Sequence, residues 1–290
     1  MSRWLAIVNP AAGSRGATRR LARRLAALLG ARLDVAETTA PGDGLRLARQ
    51  GPGYGGFVAV GGDGTIAEVL NGMDRRRQAL ALLPAGHGNC LARDLGIANP
   101  AGALAACAAA ETQDIDVISA EIEFADGRIE QRLCASTLAI GYVADVVALG
   151  RRRFAWLGRH AYATAAIAVR PRRVPLRVGA GAPAAARTNV VINNTAHLAN
   201  FRAFQRARLD DGSLDVMEAD FAWPRQLLHN LAVLSGSGRF GPAALWQAPS
   251  VVVECDTPVR LMIDGELEQG VVRVHARCEP AGVRCHVARR

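Results

Sequence analysis

The run Val58-Ala59-Val60 leads without a break into Gly61-Gly62-Asp63-Gly64-Thr65 and then into the helical pattern Ile66-Ala67-Glu68-Val69-Leu70. A strand that ends in glycines and opens a helix turns backbone N–H groups and the helix N-terminus toward phosphate oxygens, because no Cβ blocks close approach. Asp63 stands where the metal ion of a bound nucleotide would sit; read alone, it also suits the N-cap of an ordinary tight turn. Two further turns repeat the arrangement. Asn9-Pro10-Ala11-Ala12-Gly13 follows the strand-like Leu5–Val8, and Pro84-Ala85-Gly86-His87-Gly88-Asn89 follows Leu80–Leu83. Three such turns after successive strands predict a phosphate-binding edge at the carboxyl ends of one sheet.

That prediction needs a parallel sheet, and the first 110 residues have the pattern of one. Short apolar runs at Leu5–Val8, Leu33–Ala36, Phe57–Val60 and Leu80–Leu83 alternate with helical patterns at Ala17–Leu29, near Leu45–Gln50 and near Ile66–Leu70. In the first helix Leu21, Leu25, Leu28 and Leu29 are predicted to share one face, with Arg19, Arg20, Arg23 and Arg24 turned mostly to solvent. After Ala110 the pattern becomes β-type. Ile115–Phe124 and Ile129–Ile140 are joined by Ala125-Asp126-Gly127, a hairpin signal, and further runs follow at Val190–Asn193, Val251–Cys255, Val259–Ile263 and Val271–His275. Helices are predicted near Tyr162–Val169 and Arg225–Leu234, with Gly179–Ala186 as a long hairpin loop. The expected organisation is an α/β nucleotide-binding domain over residues 1–115 and a mainly antiparallel β domain over residues 116–290.

Composition narrows the chemistry. All 35 basic residues are arginine, so a Walker A loop, a protein-kinase fold and Schiff-base catalysis, each of which needs a lysine amine, are excluded. The six cysteines form no C-x-x-C pair and the six histidines no H-E-x-x-H, which argues for reduced thiols and against a zinc site. The sequence offers no run of about 18 apolar residues and no signal-peptide pattern, so a cytoplasmic protein is expected. Between Asp145 and Asp210 twelve arginines occur without one acidic residue. Such a block, with Phe154 and Trp156 interleaved, suits a polyanionic surface.

Asn9-Pro10, Gly61-Gly62-Asp63-Gly64-Thr65 and Pro84-x-Gly86-x-Gly88-Asn89, in this order and spacing, resemble the catalytic domain of diacylglycerol, sphingosine and ceramide kinases and their bacterial relatives. The resemblance continues through Arg208-Leu209-Asp210-Asp211-Gly212-Ser213 and Ile263-Asp264-Gly265-Glu266, and so covers nearly the whole chain. It implies an α/β domain of the NAD kinase and diacylglycerol kinase type followed by a β-sandwich domain. It further implies ATP in the cleft between them and a lipid entering from the second domain. Carried onto this sequence, Asn9, Thr38, the run Gly61, Gly62, Asp63, Gly64, Thr65 and Glu68, and the turn Gly86, His87, Gly88 and Asn89 would hold the nucleotide. Asp211, with the main-chain carbonyls of Arg208 and Ser213, would hold a structural Mg²⁺, and Glu266 would be the general base.

Two positions depart from the family pattern. Bacterial diacylglycerol kinases carry a small hydroxyl residue where His87 stands and an aspartate where Cys90 stands; sphingosine kinases carry an alanine at the latter. Histidine can still donate to a phosphate, but Cys90 cannot act as a carboxylate near a metal, which points away from diacylglycerol itself as acceptor.

The expected function is transfer of the ATP γ-phosphoryl group to a lipid hydroxyl by a peripheral enzyme at the inner, anionic membrane face; a homodimer is left open. NAD kinase, which also uses a Gly-Gly-Asp-Gly turn, is the competing enzyme. The Pro84–Asn89 turn and the Asp264-Gly265-Glu266 ending fit it less well. A non-catalytic binder of membrane or nucleic acid is the competing class; it leaves the three phosphate turns unexplained, and no nucleic-acid motif is present.

Overall fold

A computed structural model describes residues 3–13, 16–86, 88–97, 99–109, 111–198, 201–234 and 244–287. The chain divides into two compact units, one of Met1–Val117, Leu209–Asp211 and Pro280–Arg290, the other of Ile118–Arg208 and Gly212–Glu279.

The first unit alternates strand and helix: β1 (Trp4–Val8), α1 (Ala17–Leu29), β2 (Leu33–Glu37), α2 (Asp43–Arg49), β3 (Gly56–Gly61), α3 (Asp63–Gly72), β4 (Ala79–Pro84), α4 (Cys90–Asp94) and α5 (Pro100–Ala109). The strands are parallel in the order β2-β1-β3-β4. Ile7, Val8, Phe57, Val60, Leu80 and Leu83 are wholly buried, the unbroken apolar character that a parallel sheet with two covered faces requires. Leu21 and Leu25 of α1 reach this core, whereas Leu28 is exposed, so the apolar stripe of α1 is narrower than its leucines suggest. Register decides where the turns lie. Val8 is level with Val60, and Gly61 with Pro84, so the residues that leave β1, β3 and β4 do so at one edge.

The strands of the second unit pair antiparallel. β5 (Thr112–Phe124), which starts in the first unit, forms a hairpin with β6 (Ile129–Cys134), and Gly127 takes the left-handed conformation at its turn. Then follow β7 (Thr137–Gly141), α6 (Tyr142–Arg153), α7 (Ala161–Ala168), β8 (Val174–Val178), β9 (Ala185–Arg187) and β10 (Asn189–Asn193). The two-stranded ribbon of β11 (His197–Leu198) and β12 (Phe201–Arg202) comes next, then β13 (Leu214–Ala219), α8 (Trp223–Leu234), β14 (Ala244–Ala248), β15 (Ser250–Ile263) and β16 (Glu266–His286). The predicted hairpin around Gly179–Ala186 is the β8–β9 connection.

Period-two alternation builds this unit. Ile118, Ala120, Ile122 and Phe124 of β5 share one core with Leu138 and Ile140 of β7, Val190 and Ile192 of β10, and Leu214 and Val216 of β13. The intervening residues Ala139, Val191, Met217 and Met262 face the other way and pack with Ala144 of α6. The result is the α/β plus β-sandwich fold class expected from the sequence.

Two runs differ from their sequence reading. Ile129–Ile140 is broken at residues 135–136, because the backbone N–H groups of Ala135 and Ser136 donate to the Asp264 carboxylate and leave the strand ladder. Val251–Cys255 and Val259–Ile263 are one strand, β15, with a register shift between Glu254 and Val259 where the two runs meet.

Candidate active site

The three glycine turns of the first unit pack directly on one another. Asn9 donates from its backbone to the Val60 carbonyl (2.9 Å) and from its side-chain amide to the Thr65 hydroxyl (3.2 Å), tying the first turn to the start of α3. Asn89 takes a left-handed backbone and closes the third turn on itself, accepting from the Gly86 N–H (3.1 Å) and donating to the Gly86 carbonyl (2.8 Å). A Cβ on Gly86 would lie 2.6 Å from the Gly62 Cα, and one on Gly61 would lie 2.3 Å from the Thr65 hydroxyl. Glycine is therefore demanded here by turn-against-turn contact as well as by any ligand. The N–H groups of Gly62 and Gly64, at the N-terminal end of α3, have no protein acceptor among the described residues. They are the donors an anion at this edge would meet.

The carboxylates predicted at this edge have specific partners. Asp63 accepts the backbone N–H groups of Asn89 (2.8 Å) and Cys90 (3.0 Å), so it pins the third turn to the second. Glu68 accepts from Gly42 and Gly44, both at 2.8 Å, and so anchors the loop that opens α2. Thr38 is buried and donates its N–H to the Val8 carbonyl (2.9 Å), which brings the end of β2 to the Asn9 turn. Asp43, which the sequence reading passed over, caps the preceding loop by accepting from the Thr39 hydroxyl (2.7 Å) and N–H (2.8 Å). The Thr39 contacts, with Arg46 and Ala40 adding to them, hold its carboxyl well below the usual range. His87 lies outside the described residues.

Glu266 is the first residue after the two-residue turn of Asp264 and Gly265, both left-handed, that joins β15 to β16. Asp264 is buried and wholly engaged. Its carboxylate accepts from the backbone of Ala135 (2.7 Å), Ser136 (2.8 Å) and Thr137 (3.1 Å), from the Ser136 hydroxyl (2.6 Å) and from the Cys134 thiol (3.2 Å). That fixes the turn from below and leaves Glu266 half-exposed above it. Arg151, in the last turn of α6, grips the Glu266 carboxylate at both oxygens (2.9 and 3.1 Å). This pairing, with Arg132 adding to it, holds the Glu266 carboxyl below its ordinary value against the opposing effect of burial.

Residues 3–120 match the model of the diacylglycerol kinase catalytic domain. Over 276 residues the chain is 28% identical to the Pseudomonas aeruginosa protein named "Probable lipid kinase YegS-like", covering 89% of this chain and 85% of that one. A stretch of 78 residues is 44% identical to the protein of the same name from Pseudomonas putida, a quarter of each chain. A crystal structure titled as a diacylglycerol kinase from Bacillus anthracis superposes with a TM-score of 0.78 over 99% of this chain and 97% of that one, at 21% identity, which shows a common fold.

The metal expectation at Asp211 rests on donor chemistry alone. Asp211 is exposed beside the left-handed Gly212, and the neighbouring Leu209 carbonyl accepts the N–H of the buried Asp116 (2.6 Å). One carboxylate and two main-chain carbonyls are oxygen donors only, the type a hard cation takes. Among the described residues no group of three or more His, Cys, Asp or Glu side chains is placed to hold a metal ion.

The arginine block of the second unit is less uniform than its sequence. Arg151, Arg173, Arg177 and Arg187 are paired with Glu266, Asp220, Asp256 and Glu218, acids distant in the chain. Arg152, Arg153, Arg170 and Arg172 are exposed and have no acid within 4.0 Å among the described residues. Among the aromatic residues of this unit, Phe204 and Phe221 are core, while Trp156 and Trp223 are exposed. No helix among the described residues is long and apolar enough to cross a membrane.

Proposed function

We propose that the protein is a lipid kinase that transfers the γ-phosphoryl group of ATP to a hydroxyl of a membrane lipid, working as a peripheral protein at an anionic membrane surface. The reading is carried by the meeting of the Asn9, Gly62 and Gly86 turns at one sheet edge within a domain of the diacylglycerol kinase family. The glycine-to-glycine contact and the two free N–H groups of α3 fit the triphosphate of ATP. A Cβ at Gly62 would come within 3.3 Å of Gly86 and narrow the space left for it.

Phosphoryl transfer depends chiefly on positioning and charge stabilisation, so backbone donors suffice where no lysine exists. Gly62 and Gly64 would orient phosphate oxygens; Asp63 holds the second and third turns in mutual register for them. Glu68 keeps the Thr39–Gly44 loop in place. Glu266, held ionised by Arg151, would take the proton from the attacking lipid hydroxyl as the new O–P bond forms and the bond from the γ-phosphorus to the bridging oxygen breaks, ADP leaving with its electron pair. Mg²⁺, when bound, would neutralise phosphate charge; Asp211 with the Arg208 and Ser213 carbonyls would hold it in a structural role.

Cys90 lies buried where a diacylglycerol kinase has its aspartate, which favours a sphingoid, ceramide or other lipid alcohol over diacylglycerol. The test is phosphate transfer from labelled ATP to a lipid extract, with NAD as the competing acceptor and mass spectrometry of the labelled lipid. Labelled lipid with unlabelled NAD is expected; label in NAD alone would overturn the reading, and diacylglycerol as clearly the best acceptor would overturn the substrate preference.

A further inference from the structure

In helix α8 the usual amphipathic order is reversed. Its amide side chains face the protein: Gln226 is buried and donates to Asn230 (3.0 Å), and Asn230 donates to the Tyr142 hydroxyl (2.6 Å) and to the Ala166 carbonyl of α7 (3.0 Å). His229 packs on the Phe221 ring, centroids 5.1 Å apart. Three of its large apolar residues face outward. Trp223 is 39% exposed, Leu228 66% and Leu231 50%. Ile167 on the neighbouring α7 is 50% exposed, and Trp156, in the short helix Ala155–His160 that packs on α7, is 80% exposed. A soluble helix turns its apolar stripe to the core, so leucines on the outside and amides on the inside mark a face built for contact with something apolar.

The charge around this face says what that is. Arg152, Arg153, Arg170, Arg172 and Arg225 flank it, exposed and without an acidic partner among the described residues, and the Arg170 guanidinium lies 5.8 Å from the centre of the Trp223 ring. The nearby acids are already taken, Asp220 by Arg173 and Asp145 by Arg260. A second copy laid on this face by two-fold symmetry would oppose arginines to arginines with no carboxylate to pair them. Apolar and indole side chains ringed by unpaired arginines instead match the boundary between acyl chains and anionic headgroups.

We propose that the outward face of α7 and α8, with Trp156 and the flanking arginines, is the surface by which the protein rests on an anionic lipid bilayer. The inference rests on the lipid-kinase reading and names the surface that would bring the enzyme to its substrate.

The test is co-sedimentation with phosphatidylcholine vesicles that contain or lack a minority of phosphatidylglycerol, at low and high salt, with no ATP present. The intact protein should bind the anionic vesicles and release them at high salt. Leu228→Ser with Leu231→Ser should weaken that binding about tenfold or more while Mg-ATP affinity and circular dichroism stay unchanged. Should that pair unfold the helix, Arg152→Gln with Arg153→Gln, on exposed unpaired side chains, should lower binding about tenfold and flatten its salt dependence. Unchanged binding in a folded variant of either kind, or no binding by the intact protein, overturns the proposal. So does a dimer that the leucine changes convert to monomer without loss of vesicle binding. Because vesicle binding is read without turnover, a protein that binds through this face yet phosphorylates no lipid would count against the kinase reading alone.

Discussion

If Glu266 is the general base proposed above, Arg151 would set its working state. A carboxylate gripped at both oxygens by a guanidinium is kept ionised at lower pH than an ordinary glutamate, and a general base must be ionised to accept a proton. The acid limb of the rate profile should therefore lie below about 4.3, the value of an unperturbed glutamate. Arg151→Gln keeps a donor but removes the charge, so the limb should move upward toward that value; an unmoved limb in kcat/KM would show that Glu266 is not the group being titrated. The other charged groups near the pair are Arg132 of β6, which acts on Glu266 in the same direction, and Tyr162 of α7, which contacts Arg151. Neither changes the sign. Glu266→Gln itself preserves shape and removes the basic carboxylate, so turnover should fall roughly 10²- to 10⁴-fold with Mg-ATP affinity nearly unchanged. Near-normal turnover would send the search for the base elsewhere, though not to Asp264, whose oxygens are already engaged by five donors.

The elements that carry the site were legible in the sequence to different degrees. Strands β1, β3 and β4 and helix α1 stand out because parallel strands buried on both faces read as plain apolar runs, and because glycines mark where each strand gives way to a turn. Helix α6 was missed. Its segment Tyr142–Arg153 lies between the β-type run that ends at Ile140 and the arginine-rich stretch; three arginines in its last turn, favourable at a helix C-terminus, were the available signal. The roles of Asp63 and Glu68 were legible only as types. Both carboxylates satisfy the N–H groups of another turn about 26 residues away or nearly so, pairings that no local pattern records. The same holds for Arg151 and Glu266, which lie 115 residues apart. The break between β6 and β7 follows the same logic, because Asp264 supplies what the lost ladder would have supplied. Asp264→Ala should leave the buried N–H groups of Ala135, Ser136 and Thr137 without acceptors and destabilise the second unit by about 3 kcal/mol or more. Turnover should fall with it as the β15–β16 turn loosens, and chemical denaturation of the variant beside an activity assay checks both. A variant as stable as the parent would show the turn to be held by its backbone alone.

At the scale of the whole molecule, binding and chemistry are assigned to different units, so they should separate in the energetics of ligand linkage. A nucleotide that binds only the folded protein stabilises it in proportion to the logarithm of its saturation, about 2.7 kcal/mol at a hundred times Kd, which raises a melting midpoint on the order of 5 °C. Glu266→Gln should keep that shift in full, because the side chain lies in the second unit and is assigned to the lipid hydroxyl. Gly86→Ala should lose it. Its Cβ would be forced to 2.6 Å from the Gly62 Cα, backbone against backbone with no flexible side chain to yield, and the second and third turns would have to part. The variant should remain folded, since the contact lies at the sheet edge and the buried apolar residues of β1, β3 and β4 are untouched. Thermal melts of the three proteins with and without Mg-ATP decide the matter. A full shift in Gly86→Ala would place the nucleotide away from these turns, and a lost shift in Glu266→Gln would make that carboxylate part of the nucleotide site.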